Sequence, residues 1–313
     1  MHLTPYRGSD DRERMLALVR SHPAAHVHFV DLPYRLCSWS FDNPDNIGLW
    51  EDERGRLIAW AVLQTPFWVI DYGLHPDAPA DTFATIINWA DKMARGLLGS
   101  HNGRPAWFVP LLQGQETRWN ALVKAGYAPQ DTDDNAWSQV TLSLAAGIQF
   151  PPCPVKTGYR LRPLRGEAEA LAYVDLHRKV FESTNMTEAW RREIIRHPAY
   201  RPELDLVIEG PDGELAAFCV AWIGERLSET GDRTSMIGQI EPLGVREDCR
   251  QYGLSWSILA EAVRRLRQFG VENILVQTDN YRDRAYAFYQ AAGFQVEEHI
   301  TIFRKDFDTT GEG

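Results

Sequence analysis

The run Cys249-Arg250-Gln251-Tyr252-Gly253-Leu254-Ser255 sets a glycine-bearing turn between a predicted strand and a predicted helix. The chemistry of such a junction is anion binding. The first backbone N–H groups of a helix have no intrahelical partner and the aligned peptide dipoles make that end positive, so a pyrophosphate fits there. Gly253 removes the side chain where a phosphate would approach the backbone, and Arg246 and Arg250 can add charge-assisted contacts from the lip. One glycine at a helix start also serves plain capping or turn geometry, and the residue types alone leave both readings open.

The elements that must position this turn flank it on both sides. Residues 237–245, Ile-Gly-Gln-Ile-Glu-Pro-Leu-Gly-Val, have strand composition. Pro242 cannot donate to a ladder, which predicts a bulge or an unpaired edge there. After Gly253, Leu259, Ala262, Val263 and Leu266 follow the spacing of a buried helical face, and Gly270 stops the helix. A short buried strand over 273–278 and a helix over 284–294 with its C-terminal glycine, Gly293, come next.

Residues 145–154 carry three prolines near the midpoint of the chain and read as an interdomain linker. The same order of elements recurs on either side of it. A short strand (2–6 or 159–164) and a charged helical region precede a hairpin, which turns through Asp52-Glu53-Arg54-Gly55 in the first half and Gly210-Pro211-Asp212-Gly213 in the second. A further strand, a long amphipathic helix, another strand and a shorter helix follow. That helix ends in Gly126-Tyr127 or Gly293-Phe294, before a last strand. A period of roughly 160 residues is domain-sized. Two similar α/β domains are expected, 1–145 and 156–313, joined by 146–155. The first half lacks the anion loop: residues 75–81, His-Pro-Asp-Ala-Pro-Ala-Asp, bring two prolines and two aspartates where the second half has its glycine turn. Acidic residues there would repel a pyrophosphate.

A net charge of −10 over 313 residues, with no basic run interleaved with aromatics, argues against nucleic acid as a partner. An acidic surface suits a cationic small molecule such as an amine, or simply solubility. There is no apolar run of about 18 residues and no basic-then-apolar N-terminus. A soluble, cytoplasmic protein without membrane span or signal peptide is therefore expected. Cys37, Cys153, Cys219 and Cys249 are widely spaced without a CxxC pair, as reduced packing thiols would be. His22, His26 and His28 cluster without an HExxH pattern or an acidic partner at ligand spacing, so surface histidines are expected in place of a metal site. No GxSxG elbow or Walker A sequence is present.

Arg250-x-x-Gly253-x-Ser255 resembles the pyrophosphate signature of the GNAT superfamily of acyl-CoA N-acyltransferases, usually Gln/Arg-x-x-Gly-x-Gly/Ala, with Ser255 departing at the final position. Glu241-Pro242-Leu243-Gly244-Val245 resembles the family's fourth strand, whose bulge splays it from the fifth and opens a slot for pantetheine. Ala285-x-x-x-Tyr289-x-x-x-Gly293-Phe294 resembles the family's tyrosine-bearing helix, although Asn280-Tyr281-Arg282-Asp283 before it is longer than the usual Asn-x-x-Ala link. The resemblance covers residues 156–307. Residues 1–145 share only the layout, an arrangement similar to mycothiol-synthase-like tandem members.

The resemblance implies a fold of two tandem domains, each a mixed, largely antiparallel sheet flanked by helices. It implies acetyl-CoA as co-substrate, no metal, and direct acetyl transfer to a primary amine of a small molecule. Tyr289 is then the candidate acid for the leaving thiolate, and Glu241 the candidate base. Backbone groups of Gln251, Tyr252, Gly253, Leu254 and Ser255, with Arg250, would hold the pyrophosphate. Leu243, Gly244 and Val245 would pair with pantetheine, and Asn280 would also face the cofactor. The acceptor would be shaped by helices over 167–181 and 187–197, with Phe181, Glu182, Trp190 and Tyr200 as lining. Counting back four from the paired glycines aligns Tyr289 with Leu122, so the first domain is expected to be non-catalytic and either to wall the pocket or to support a homodimer. The rival reading is a non-catalytic acyl-CoA sensor or scaffold.

Overall fold

The structure, a computed structural model, describes residues 1–131, 137–148, 150–227, 234–280 and 283–307. They fall into two compact units. One holds residues 1–141, 278–286 and 297–313; the other holds 142–277 and 287–296.

The first unit contains β1 (His2–Thr4), α1 (Ser9–Ser21), α2 (Leu32–Leu36), β2 (Ile47–Glu51), β3 (Leu57–Gln64), β4 (Val69–Leu74), α3 (Thr82–Leu97), β5 (Ala106–Leu112), α4 (Glu116–Lys124) and β6 (Ala128–Pro129). Next, β7 (Ser138–Leu144) runs from this unit into the second. β3 is buried at every position, as a central strand covered on both faces must be. On one side Phe83, Ile86, Ile87, Ala90 and Ala94 of α3 close the core at helical spacing. Met15, Leu16, Leu18 and Val19 of α1 pack with Leu49, Leu57, Trp60 and Val62 in another core.

The second unit begins with β7's last residues and continues through β8 (Arg160–Pro163), α5 (Ala170–Phe181), α6 (Glu188–Arg196), β9 (Asp205–Glu209), β10 (Leu215–Leu227), β11 (Thr234–Val245), α7 (Leu254–Gln268), most of β12 (Asn273–Asp279) and the last residues of α8 (Asp283–Ala291). Its strands order as β8-β9-β10-β11-β12, antiparallel except for the parallel β11–β12 pair. Thr187 caps α6 by accepting from the Trp190 N–H at 3.1 Å. The proline-rich stretch also belongs to this unit: Ser257 Oγ on α7 donates to the Pro154 carbonyl at 3.3 Å.

The last strand departs most from the sequence reading. β13 (Gln295–Asp306) leaves the second unit and pairs antiparallel with β5, from Ile300↔Leu112 to Asp306↔Ala106. Phe303 and Phe307 enter the first unit's core beside Trp107, Val109, Leu122 and Tyr127. Lys305 bonds the Asp91 carboxylate, which also accepts from the Tyr127 hydroxyl at 2.8 Å. The repeat is thus real in element order, but its final strand is lent to the other copy.

Candidate active site

The bulge falls at Pro242. Along β10 and β11, Cys219 pairs with Leu243 and Ala221 with Ile240, so Val220 alone faces the two residues Glu241 and Pro242. The Trp222 indole N–H donates to the displaced Glu241 carbonyl at 2.9 Å. The parallel ladder to β12 runs from Ile237↔Asn273 to Ile240↔Val276 and ends there. Beyond it, Leu243 to Val245 keep their antiparallel partners on β10, while their other edge faces the gap between the two splayed strands. Gly244 has a packing reason as well, since a Cβ there would lie 2.5 Å from Phe218 and 2.7 Å from Val180.

A short 3-10 turn, Glu247–Tyr252, follows β11, with Cys249 buried in it. Gly253 then adopts φ +71° and α7 starts at Leu254 with no side-chain cap. An added Cβ at Gly253 would meet nothing within 4 Å, so the left-handed backbone conformation, and not lack of room, calls for glycine. The first turn of α7 has no side-chain cap, so the N–H groups of Leu254 and Ser255 have no partner within the helix. Arg250 and Gln251 are exposed, and the Lys156 ammonium lies 3.8 Å over the Tyr252 ring. Arg246, read from sequence as a lip residue, is instead held by Asp212 and Asp248, both at 2.8 Å. Asn280 belongs to the first unit, where its amide bonds Ser138 Oγ and its N–H donates to the Ser138 carbonyl at 3.1 Å.

Tyr289 on α8 is 8% exposed, its ring against Phe288 and Phe294 at 5.2 and 5.6 Å. Its own carbonyl accepts from the Phe294 N–H. Burial pushes its phenol up from the usual range, and the charges of Cys219 and Glu241 add to the rise. Tyr289 and half-buried Glu241 therefore lie within electrostatic reach of each other.

α5 lays Tyr173 and His177 on Phe218, with centroids at 5.0 and 5.6 Å. Burial holds His177 neutral, its pKa lowered to about 3. Of the four expected lining residues, Phe181 (41% exposed) and Glu182 are open to solvent. Trp190 is core, and Tyr200 is tied to Asp205 at 2.6 Å. Sequence reasoning missed Tyr173, Arg191 and Asp205. Arg191 and Asp205, an ion pair with both side chains fully buried, are separated along the chain by a helix and a turn. Arg191 is hidden among the charged neighbours Glu188, Arg192 and Glu193, and only Asp205, set before Leu206-Val207-Ile208, stands out as a charge in an apolar run.

The histidines of the first unit are corrected too. His28 Nδ1 lies 3.0 Å from the Asp31 carboxylate, an acidic partner three residues on. His26 is buried and accepts the Leu74 N–H on Nε2, which leaves Nδ1 to donate to the His22 carbonyl. Among the described residues no group of three or more His, Cys, Asp or Glu could hold a metal ion. No described helix is long and apolar enough to cross a membrane.

A model of the acetyltransferase (GNAT) family matches residues 171–294. A mycothiol acetyltransferase of Sanguibacter keddieii is 27% identical over 148 residues, 46% of this chain and 46% of that protein. The match thus spans about half the length of that curated relative. A GCN5-related N-acetyltransferase from Sphaerobacter thermophilus superposes with a TM-score of 0.63 over 97% of this chain and 95% of that one, at 16% identity. A tandem GNAT protein from the clavulanic acid biosynthesis pathway gives 0.61 over 99% of both chains at 12% identity. At these identities the structural likeness bears on fold alone.

Proposed function

We propose that this chain, which belongs to the GNAT superfamily as a tandem-domain member, uses its second unit to move an acetyl group from acetyl-CoA to a primary amine of a small molecule. The observation that carries the reading is the splay of β11 from β12 after Ile240, followed directly by the left-handed Gly253 turn and the uncapped start of α7. An extended amide-bearing arm fits an open strand edge, and a pyrophosphate fits a helix N-terminus.

In this reading the edge of Leu243–Val245 pairs with the pantetheine amides, and the N–H groups of Gln251–Ser255 hold the pyrophosphate, with Arg250 beside them. The amine nitrogen bonds to the thioester carbonyl carbon as the carbon–sulfur bond breaks. Glu241 takes the proton from nitrogen and passes it to solvent, while Tyr289 donates a hydrogen bond to the leaving sulfur, whose thiolate takes its proton from solvent, so one proton moves from nitrogen to sulfur overall. The raised pKa of Tyr289 keeps it protonated throughout the working range. Its contribution is therefore a donated hydrogen bond to the developing thiolate, worth about 10²–10⁴-fold.

A thiol-release assay with acetyl-CoA and a panel of primary amines tests this. Turnover on at least one amine, collapsing in Tyr289→Phe while acetyl-CoA still raises the melting temperature, is the expected result. Acetyl-CoA binding with no amine turned over would instead support a cofactor sensor.

A further inference from the structure

Gly55 ends the β2–β3 turn at φ +76° and Gly213 ends the β9–β10 turn at φ +80°, each donating its N–H to the carbonyl three residues back, at 3.1 and 3.0 Å. At the matching place in the β3–β4 turn, donating to the Thr65 carbonyl, stands Trp68 at φ +60°. A bulky residue is strained in that conformation, and strain of this kind collects at functional sites. Burial does not explain the choice, since the side chain is 38% exposed.

Around Trp68 the first unit gathers a cation and two further rings. The Arg104 guanidinium lies 5.6 Å from the Trp68 centroid and 5.9 Å from that of Trp39, against which the exposed His101 ring packs at 4.9 Å. Arg104 Nε and Nη1 donate to the carbonyls of Thr65, His101 and Gly103, which fixes the group in place. Its Nη2 has no acceptor among the described residues. Arg7, Arg14, Arg35 and Arg56 of the same unit each hold a carboxylate. No described carboxylate faces Arg104, and partial burial lowers its pKa unopposed. A half-buried cation of this kind calls for an anion, and the flanking rings favour a flat one. One open donor arm and a single charge suit a carboxylate better than a phosphate dianion.

We propose that Arg104, framed by Trp39 and Trp68, forms a binding site for a small aromatic carboxylate, with Nη2 donating to the carboxylate and the exposed Trp68 indole packing on the ligand's ring. The groups assigned to acetyl transfer all belong to the second unit, so the site stands apart from that chemistry.

The probe is benzoate, titrated into the full-length protein labelled with ¹⁵N at its tryptophan indoles, the Trp39 and Trp68 signals being assigned by their loss in Trp39→Phe and Trp68→Gly. Both signals should shift saturably, with a Kd below about 10 mM. Benzamide keeps the ring without the charge and cyclohexanecarboxylate the charge without the flat ring, and each should bind about tenfold more weakly. Trp68→Gly relieves the backbone, so it should hold or raise the melting temperature while weakening benzoate about tenfold, read at Trp39. No saturable shift up to about 10 mM benzoate, equal binding of the three probes, or an affinity unchanged in Trp68→Gly would overturn the proposal. A lowered melting temperature in Trp68→Gly would show that Trp68 serves the fold, and would overturn it as well.

Discussion

Both units splay a parallel strand pair, and they treat the gap in opposite ways. In the second unit β11 parts from β12 after Ile240, and the chain leads through Gly253 into α7 with the strand edge facing the gap. In the first, β4 and β5 pair at Val69↔Phe108 and diverge. His26 takes the Leu74 N–H at 3.0 Å, and a cavity of about 20 Å³, room for about one water, is bordered by His26, His28, Asp71, Tyr72 and Pro110. Arg35 and Asp71 close that region as a buried bidentate pair with both bonds at 2.8 Å. The tyrosine position matches as well: Leu122 and Tyr289 each give their carbonyl to the aromatic N–H after the turn glycine, both at 3.0 Å. The comparison teaches that a duplicated frame can keep its splay while its own side chains fill one copy, and that a tyrosine stands at this position only beside the open slot.

The largest expected effect strikes the second copy alone. Tyr289→Phe should lower kcat by about 10²–10⁴-fold, roughly 3–5 kcal/mol, with acetyl-CoA affinity kept, whereas Leu122→Tyr should leave steady-state rates unchanged. A rise in rate with Leu122→Tyr would break the comparison. Phe303→Ala should cost about 3–5 kcal/mol of stability, seen by hydrogen exchange as lost protection across β5 and α4 of the first unit, although the residue lies near the chain's far end. Loss confined to the second unit would contradict the strand exchange.

Acid should act through the neutral histidine that fills the first slot. Burial lowers His26 to about 4, from an ordinary 6.5, so its unfolded form binds a proton first as pH falls. Its contribution is full above about pH 6.5, is lost progressively down to about pH 4, and amounts to about 3 kcal/mol. Melting temperature against pH should fall through this window, and His26→Gln should flatten part of that slope.

The Gly253 turn, the bulge and the helix after the turn could be read in the chain because each is set locally: Pro242 lacks an N–H, Gly253 adopts a positive φ, and α7 shows its apolar spacing. The exchange of β13 could not, since Ile300 to Phe303 read as any short strand and nothing local names β5 as partner. Arg246 was misplaced because its competitor Asp212, 34 residues before it, meets it only in the fold, where Asp248, two residues on, holds it as well. The His28–Asp31 contact, by contrast, is an i, i+3 pairing that the sequence displays openly.

The central claim is that the chain has one acyl-CoA slot, in the second unit, seated on Gly253. Calorimetric titration with acetyl-CoA tests it most directly. One site per chain is expected, and Gly253→Val, forcing a branched side chain into a left-handed conformation, should weaken it at least about tenfold through a strain of about 1–2 kcal/mol. Two sites per chain, or an affinity unchanged by Gly253→Val, would contradict the account.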